Sequence, residues 1–250
     1  MLMKILRYEM KRIWLGRLFP IMLVCNCIYA LMWMQQSGIP GIAGTAPFSE
    51  WTYLAYCGAM LPPAALTLLL LQANYYSPKQ QKCDILLLAT PYTVSALTLV
   101  RLITLAICFL VLFLLEFAVF AVPCVYLFGK TCVLTYVFCG LLHMLPAVVL
   151  TLAAGGMAGR LHGRLIYVLA AVLFLAGTAE TGKAFELFGC AFFSEYPLTL
   201  QPGADGEPAF VIETVWIITR LLYLAAGTAM IVLGVCRYHK PKLDRAEAAA

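Results

Sequence analysis

Charge is what this sequence has least of. Only 12% of its 250 residues are Asp, Glu, Lys or Arg, against 63% hydrophobic, and the mean hydropathy is +0.91. Soluble domains are about half apolar and about a quarter charged, so this composition excludes a water-soluble globule. Period-two alternation is missing as well. The run "LITLAICFLVLFLLEFAVFAV" (residues 102–122) has none of the in–out pattern of a membrane β-barrel, which leaves helices as the spanning elements.

Catalytic signatures are equally scarce. The sequence has no H-E-x-x-H and no G-x-S-x-G, and its three histidines, His143, His162 and His239, are scattered. It has no G-x-x-x-x-G-K-[ST] loop; "GGMAGRLHGR" (residues 155–164) is glycine-rich but lacks the Lys-Ser/Thr ending. The chain is therefore not expected to be an enzyme or to hold ATP phosphates itself. Ten cysteines offer no C-x-x-C and no Cys/His pairing, and Cys25 and Cys27 point to different faces of a helix, so no metal is implied. Cys132 and Cys190 fall on the same expected side of the membrane, and whether they pair stays open.

What the sequence does have is apolar runs of spanning length. Six are expected: Leu18–Ser37, Trp51–Asn74, Arg101–Tyr126, Val133–Met157, Leu165–Thr178 lengthened by a few residues, and Glu213–Val235. The fold class is all-α integral membrane, one unit over residues 1–250. The first span reads as retained, not as a cleaved signal, because the basic stretch before it is long and patterned.

The scarce basic residues are sorted. Fourteen of the 17 fall in the N-terminal stretch, the second-to-third and fourth-to-fifth connections and the tail, and none lies between Arg17 and Lys79. By the positive-inside rule both termini are expected on the cytoplasmic side of the cell membrane. The net charge of +5 is thus an orientation signal, and nothing calls for a nucleic-acid partner.

Between the spans the pattern is more particular. In "MLMKILRYEMKRIWLGR", Met3, Leu6, Met10, Ile13 and Trp14 share one side and Lys4, Arg7 and Lys11 another. That suits an amphipathic helix lying in the membrane plane, or an ordinary set of basic anchors. Pro62-Pro63 in the second span is a hinge or a tolerated bend. Gly155 and Gly159 form G-x-x-x-G, which permits close helix packing within the chain or across a dimer seam. Before the last span, Phe185, Phe188, Phe192 and Tyr196 share a helical side in an acidic stretch too short to span. A surface or re-entrant segment on the outer side is expected, serving cargo or anchoring.

Three polar residues sit at membrane depth: Glu116, His143 and Arg220. Glu116 and Arg220 both fall in the outer half, and a charge there is costly unless paired. The expectation is a Glu116–Arg220 pair, or contact of each with a polar pathway; Arg220 reaching the outer headgroups is the other possibility. His143 reads as a packing residue or a relay.

The remaining anomaly is a polar stretch between two greasy spans, "SPKQQKCDILLLATPYTVSALTLVR" (residues 77–101). Ile85, Leu86 and Leu88 beside Lys79, Lys82 and Asp84 would give a short helix an apolar face with charges at its rim. Such a face can bury itself in a soluble partner or rest on lipid. This stretch, with Pro91 after the Leu run, resembles the corresponding segment of ABC-2-type ABC transporter membrane subunits. In that family an acidic residue, a Leu run and "TP" or "LP" precede a basic residue entering span three. The basic N-terminal segment, six spans with both ends inside and a hydrophobic outer segment before the last span fit the same resemblance. Gln80, Gln81 and Cys83 replace the Glu and Gly/Thr often found before the Leu run.

The resemblance implies that Ser77–Leu97 contains a coupling helix docking on a separate ATPase subunit. It also implies a second permease subunit, identical or related, and ATP and Mg on the ATPase with no cofactor on this chain. The function implied is export. The rival classes are an ion-driven carrier, with His143 and Glu116 as its only titratable candidates, and a membrane enzyme or scaffold.

Overall fold

A computed structural model describes residues 2–42, 44–88, 93–129, 133–179, 186–201, 203 and 207–237. Among them are nine α-helices: α1 (Leu2–Leu15), α2 (Leu18–Trp33), α3 (Glu50–Tyr75), α4 (Pro78–Leu88), α5 (Val94–Phe128), α6 (Val133–Leu161), α7 (Leu165–Thr178), α8 (Cys190–Glu195) and α9 (Thr214–Arg237). No strand occurs among the described residues.

The helix starts follow from local chemistry. Ser49 precedes α3 in an extended conformation and its hydroxyl accepts the Thr52 N–H; Thr93 does the same for the Ala96 N–H ahead of α5. Gly129 ends α5 in the left-handed region, its N–H returning to Val125 O.

Five stretches are long and apolar enough to cross a membrane: Leu18–Gly38, Glu50–Tyr75, Val94–Phe128, Thr135–Leu161 and Thr214–Val235. This is an all-α, multi-pass membrane protein. The fifth expected span, Leu165–Thr178, is not matched by a helix of spanning length. With 14 residues, α7 is about 21 Å long at 1.5 Å per residue, against a hydrocarbon core of about 30 Å. Residues 180–185, by which it was expected to lengthen, lie outside the described residues. Conversely α5 has 35 residues, starting seven before Arg101 where the span was expected to begin, so its first two turns reach beyond the apolar stretch.

The helix at the centre is α3. It packs against α2, α5, α6, α7 and α8 and is buried on nearly every side, whereas α2 and α9 leave wide apolar faces open. Ile21, Val24 and Ile28 on α2 and Leu221 and Leu222 on α9 are all more than half exposed. Such faces are what a helix presents to lipid or to another apolar surface.

Polar side chains tie the apolar interior together. The buried Asn26 amide on α2 donates to the Thr67 hydroxyl on α3 at 2.9 Å and to Met22 O at 2.7 Å. Gln72 donates to Leu152 O and Tyr76 to Gly156 O, fastening α3 to α6. These two contacts need the small residues of α6. A Cβ on Gly155 would collide with Gln72 and Leu69, and one on Gly159 would lie 2.5 Å from the Tyr76 ring. The G-x-x-x-G pair thus faces α3 of the same chain.

Candidate functional site

Helices α1 and α4 and the starts of α2 and α5 gather at one end of the bundle with the close of α3. This is the end that holds most of the basic residues. Here the sequence-predicted helix forms as α4, and Lys79, Lys82 and Cys83 on it are exposed. Asp84 does not stand at a free rim. It takes a bidentate pair from Arg101 of α5, Nη1 to Oδ2 at 2.9 Å and Nη2 to Oδ1 at 2.5 Å, and accepts a 2.9 Å bond from the Gln80 amide. The paired fork is the strong form of this contact. Ile85, Leu86 and Leu88 fall within α4, with their side chains, like all of Pro91, outside the described residues.

The network reaches α1 through residues that sequence reasoning passed over. Arg12 donates to Gln80 Oε1 and approaches Glu9 Oε2 at 2.8 Å in an ion pair outside hydrogen-bond alignment. Arg101 Nε lies 3.9 Å from Glu9 Oε1. Both guanidiniums lie over the ring of Tyr75 at the end of α3, with centroid distances of 5.1 Å for Arg12 and 4.8 Å for Arg101. Four helices are therefore joined by two carboxylates, two guanidiniums, one amide and one ring.

Glu9 is the least exposed charged group in this network, its side chain 1% accessible. Burial pushes its carboxyl above its ordinary value of 4.5, against the lowering pull of Arg12 and Arg101, while Asp84 adds to the rise. The expected apolar side of α1 is revised accordingly. Glu9 and Ile13 face inward against the bundle, while Met3 and Trp14 point outward, 74% and 45% exposed. A legible signal existed: Leu6, Glu9, Met10 and Ile13 stand at three-to-four spacing, which sets a carboxylate on the apolar stripe.

The opposite end is built from aromatic rings. Phe188, Phe192 and Phe193 are buried, and α8 inserts beside α3 so closely that a Cβ on Gly58 would meet Cys190 Cα at 2.7 Å. Trp216 of α9 stacks on His143 of α6 at 5.5 Å and meets Phe193 edge-on. The segment expected on the outer side is thus inserted into the bundle end instead of lying on its surface; Phe185 and Cys132 fall outside the described residues.

Arg220 belongs to this end, and the expected pair with Glu116 is not formed. Its guanidinium donates to Leu187 O and, at 3.1 Å, to Glu186 O, and lies 4.8 Å over the Trp216 ring. The two backbone carbonyls supply hydrogen-bond acceptors to this buried cation, without the countercharge a carboxylate would bring. Glu116 lies elsewhere, on α5, 2% exposed; its backbone oxygen accepts from Tyr56 at 2.7 Å, and its carboxylate oxygens have no hydrogen-bond partner among the described residues. His143 packs between Trp216 and Phe193. The three intramembrane polar residues thus split, His143 and Arg220 sharing one site and Glu116 standing apart.

No group of three or more His, Cys, Asp or Glu residues arranged to hold a metal occurs among the described residues. Compared with protein-family models, curated proteins and solved structures, the chain finds no match in any of the three.

Proposed function

We propose that this chain is the membrane-spanning subunit of an ATP-driven exporter, with α4 as the helix on which a separate ATPase subunit docks. In this reading both termini and α4 lie in the cytoplasm at the cell membrane, with α1 at the interface and α7 completing a sixth, shortened crossing. A second permease subunit completes the pathway, and ATP and Mg belong to the ATPase.

One observation supports the reading most. A short helix with exposed Lys79, Lys82 and Cys83 is fastened by Asp84 to the base of α5, the longest helix, and by Gln80 to α1. A push on α4 would pass through the Asp84–Arg101 fork directly into α5. The chain itself contributes the pathway and no chemistry.

The test is co-purification with a candidate ATPase, followed by measurement of nucleotide hydrolysis and cargo movement. Reversing the charge of both Lys79 and Lys82 should weaken the association while membrane insertion is retained. Unchanged association, or vectorial movement by the purified chain without nucleotide, would remove the reading. A second reading, an ion-driven carrier, draws on the buried Glu116 carboxylate that has no partner among the described residues. It requires gradient-driven uptake by the chain alone in liposomes, abolished in Glu116→Gln.

A further inference from the structure

A cleft of about 270 Å³ opens at the basic end, between α1 and the start of α2 on one side and the close of α3 with α4 on the other. Its wall is divided by polarity. Arg12, Ser77, Lys79 and Gln80 line one part, and Phe19 and Leu71 line another. No Asp or Glu lines it among the described residues. Arg12 is matched by Glu9, but Lys79 is exposed and in no ion pair among the described residues, so the polar part carries a net positive charge. The N-terminal end of α4 borders the same part and adds to that sign.

The apolar part continues out of the cleft. Leu18, which also lines it, is followed on the same face of α2 by Ile21, Cys25 and Ile28, all three exposed. A polar, net positive wall at one end and an open aliphatic stripe leading from the other match one class of molecule. A soluble anion would leave the stripe unused, and a neutral lipid would leave Lys79 unanswered.

We propose that this cleft is a binding site for one anionic phospholipid. Its phosphate sits between Lys79 and the polar rim at Ser77 and Gln80, and an acyl chain follows the exposed face of α2. The site stands whether or not an ATPase docks on α4, because it requires only that this end of the bundle lie at the lipid–water boundary.

The experiment uses the full chain in nanodiscs of phosphatidylcholine containing a minor fraction of phosphatidylglycerol, read by native mass spectrometry of retained lipid. One phosphatidylglycerol per chain should be retained in preference to phosphatidylcholine. Lys79→Gln should weaken that retention about fivefold, the worth of one basic residue near an anionic surface. Cys83→Trp, which fills the cleft without changing charge, should abolish it. Lys82→Gln, on the same helix but outside the cleft, should leave it unchanged. Inorganic phosphate alone should not protect the chain against thermal unfolding, whereas short-chain phosphatidylglycerol should. Equal retention of both lipids, equal losses from Lys79→Gln and Lys82→Gln, retention surviving Cys83→Trp, or protection by phosphate as great as by the lipid would each overturn the proposal.

Discussion

The two ends of the bundle are fastened by opposite means. At the basic end, four helices meet through ions: Glu9, Arg12, Asp84 and Arg101 around the Tyr75 ring. At the other, helices α3, α6 and α9 close around inserted aromatic rings, and a buried cation there, Arg220, is held by backbone carbonyls and a Trp face. Ionic forks act over directed, short contacts and can be exchanged one for another at modest cost, whereas a packed aromatic plug has no alternative arrangement of similar energy. The two ends thus differ in what holds them: directed ionic contacts at one and ring packing at the other.

The sharpest way to break that contrast is at Arg220. Arg220→Ala leaves the carbonyls of residues 186 and 187 without their donor and opens the plug. It should cost about 3 kcal/mol, read as a lower unfolding temperature in detergent. Gly189→Ala should follow at about 2 kcal/mol, since Gly189 has φ +75° and a Cβ there would lie 2.6 Å from an Arg220 nitrogen. A fold that ignores both changes is not held by this plug.

The basic end should respond less in stability and more in coupling. Asp84→Asn and Arg101→Gln should each cost about 1–2 kcal/mol, with the double variant costing less than their sum by about 1 kcal/mol because the two share one contact. Additive losses in that double-mutant cycle would mean the fork carries nothing.

Glu9 sharpens the comparison through pH. Its carboxyl is raised above 4.5 in the folded chain, so the native state holds its proton more tightly than the unfolded one. Its contribution is present in full below that value and is lost as pH rises through the folded one. Glu9→Gln should therefore flatten the decline of unfolding temperature as pH rises from about 4 toward neutrality. An unchanged profile would place the titration elsewhere. Last and smallest, Lys82→Gln, exposed on α4, should shift stability by less than about 0.5 kcal/mol.

Much of this architecture was legible before any coordinates, because spanning helices are written in runs that need no partner to be recognised. Glu50–Tyr75 and Val94–Phe128 contain the expected second and third spans, and the polar stretch between them does form a short helix. What escaped was whatever depended on distant residues. Matching Glu116 to Arg220 by depth and charge overlooked that a carbonyl can answer a guanidinium, and the carbonyls in question lie in a loop 33 and 34 residues away in sequence. Glu9 was passed over, since one of its charged neighbours, Arg101, lies far along the chain. The shortness of the α7 run was visible in the sequence, and the residues expected to lengthen it, 180–185, lie outside the described residues.

The position of α3 carries a consequence for how the molecule is made. Ribosomes deliver this helix before α6, α7 and α8, which supply most of its covering. Until residues 152–156 emerge, Gln72 and Tyr76 lack the acceptors they finally use, and the Pro62-Pro63 step has only α2 and α5 as neighbours. The nascent chain must therefore hold its most deeply buried crossing in a half-built assembly, with much of that helix's final wall still to be made.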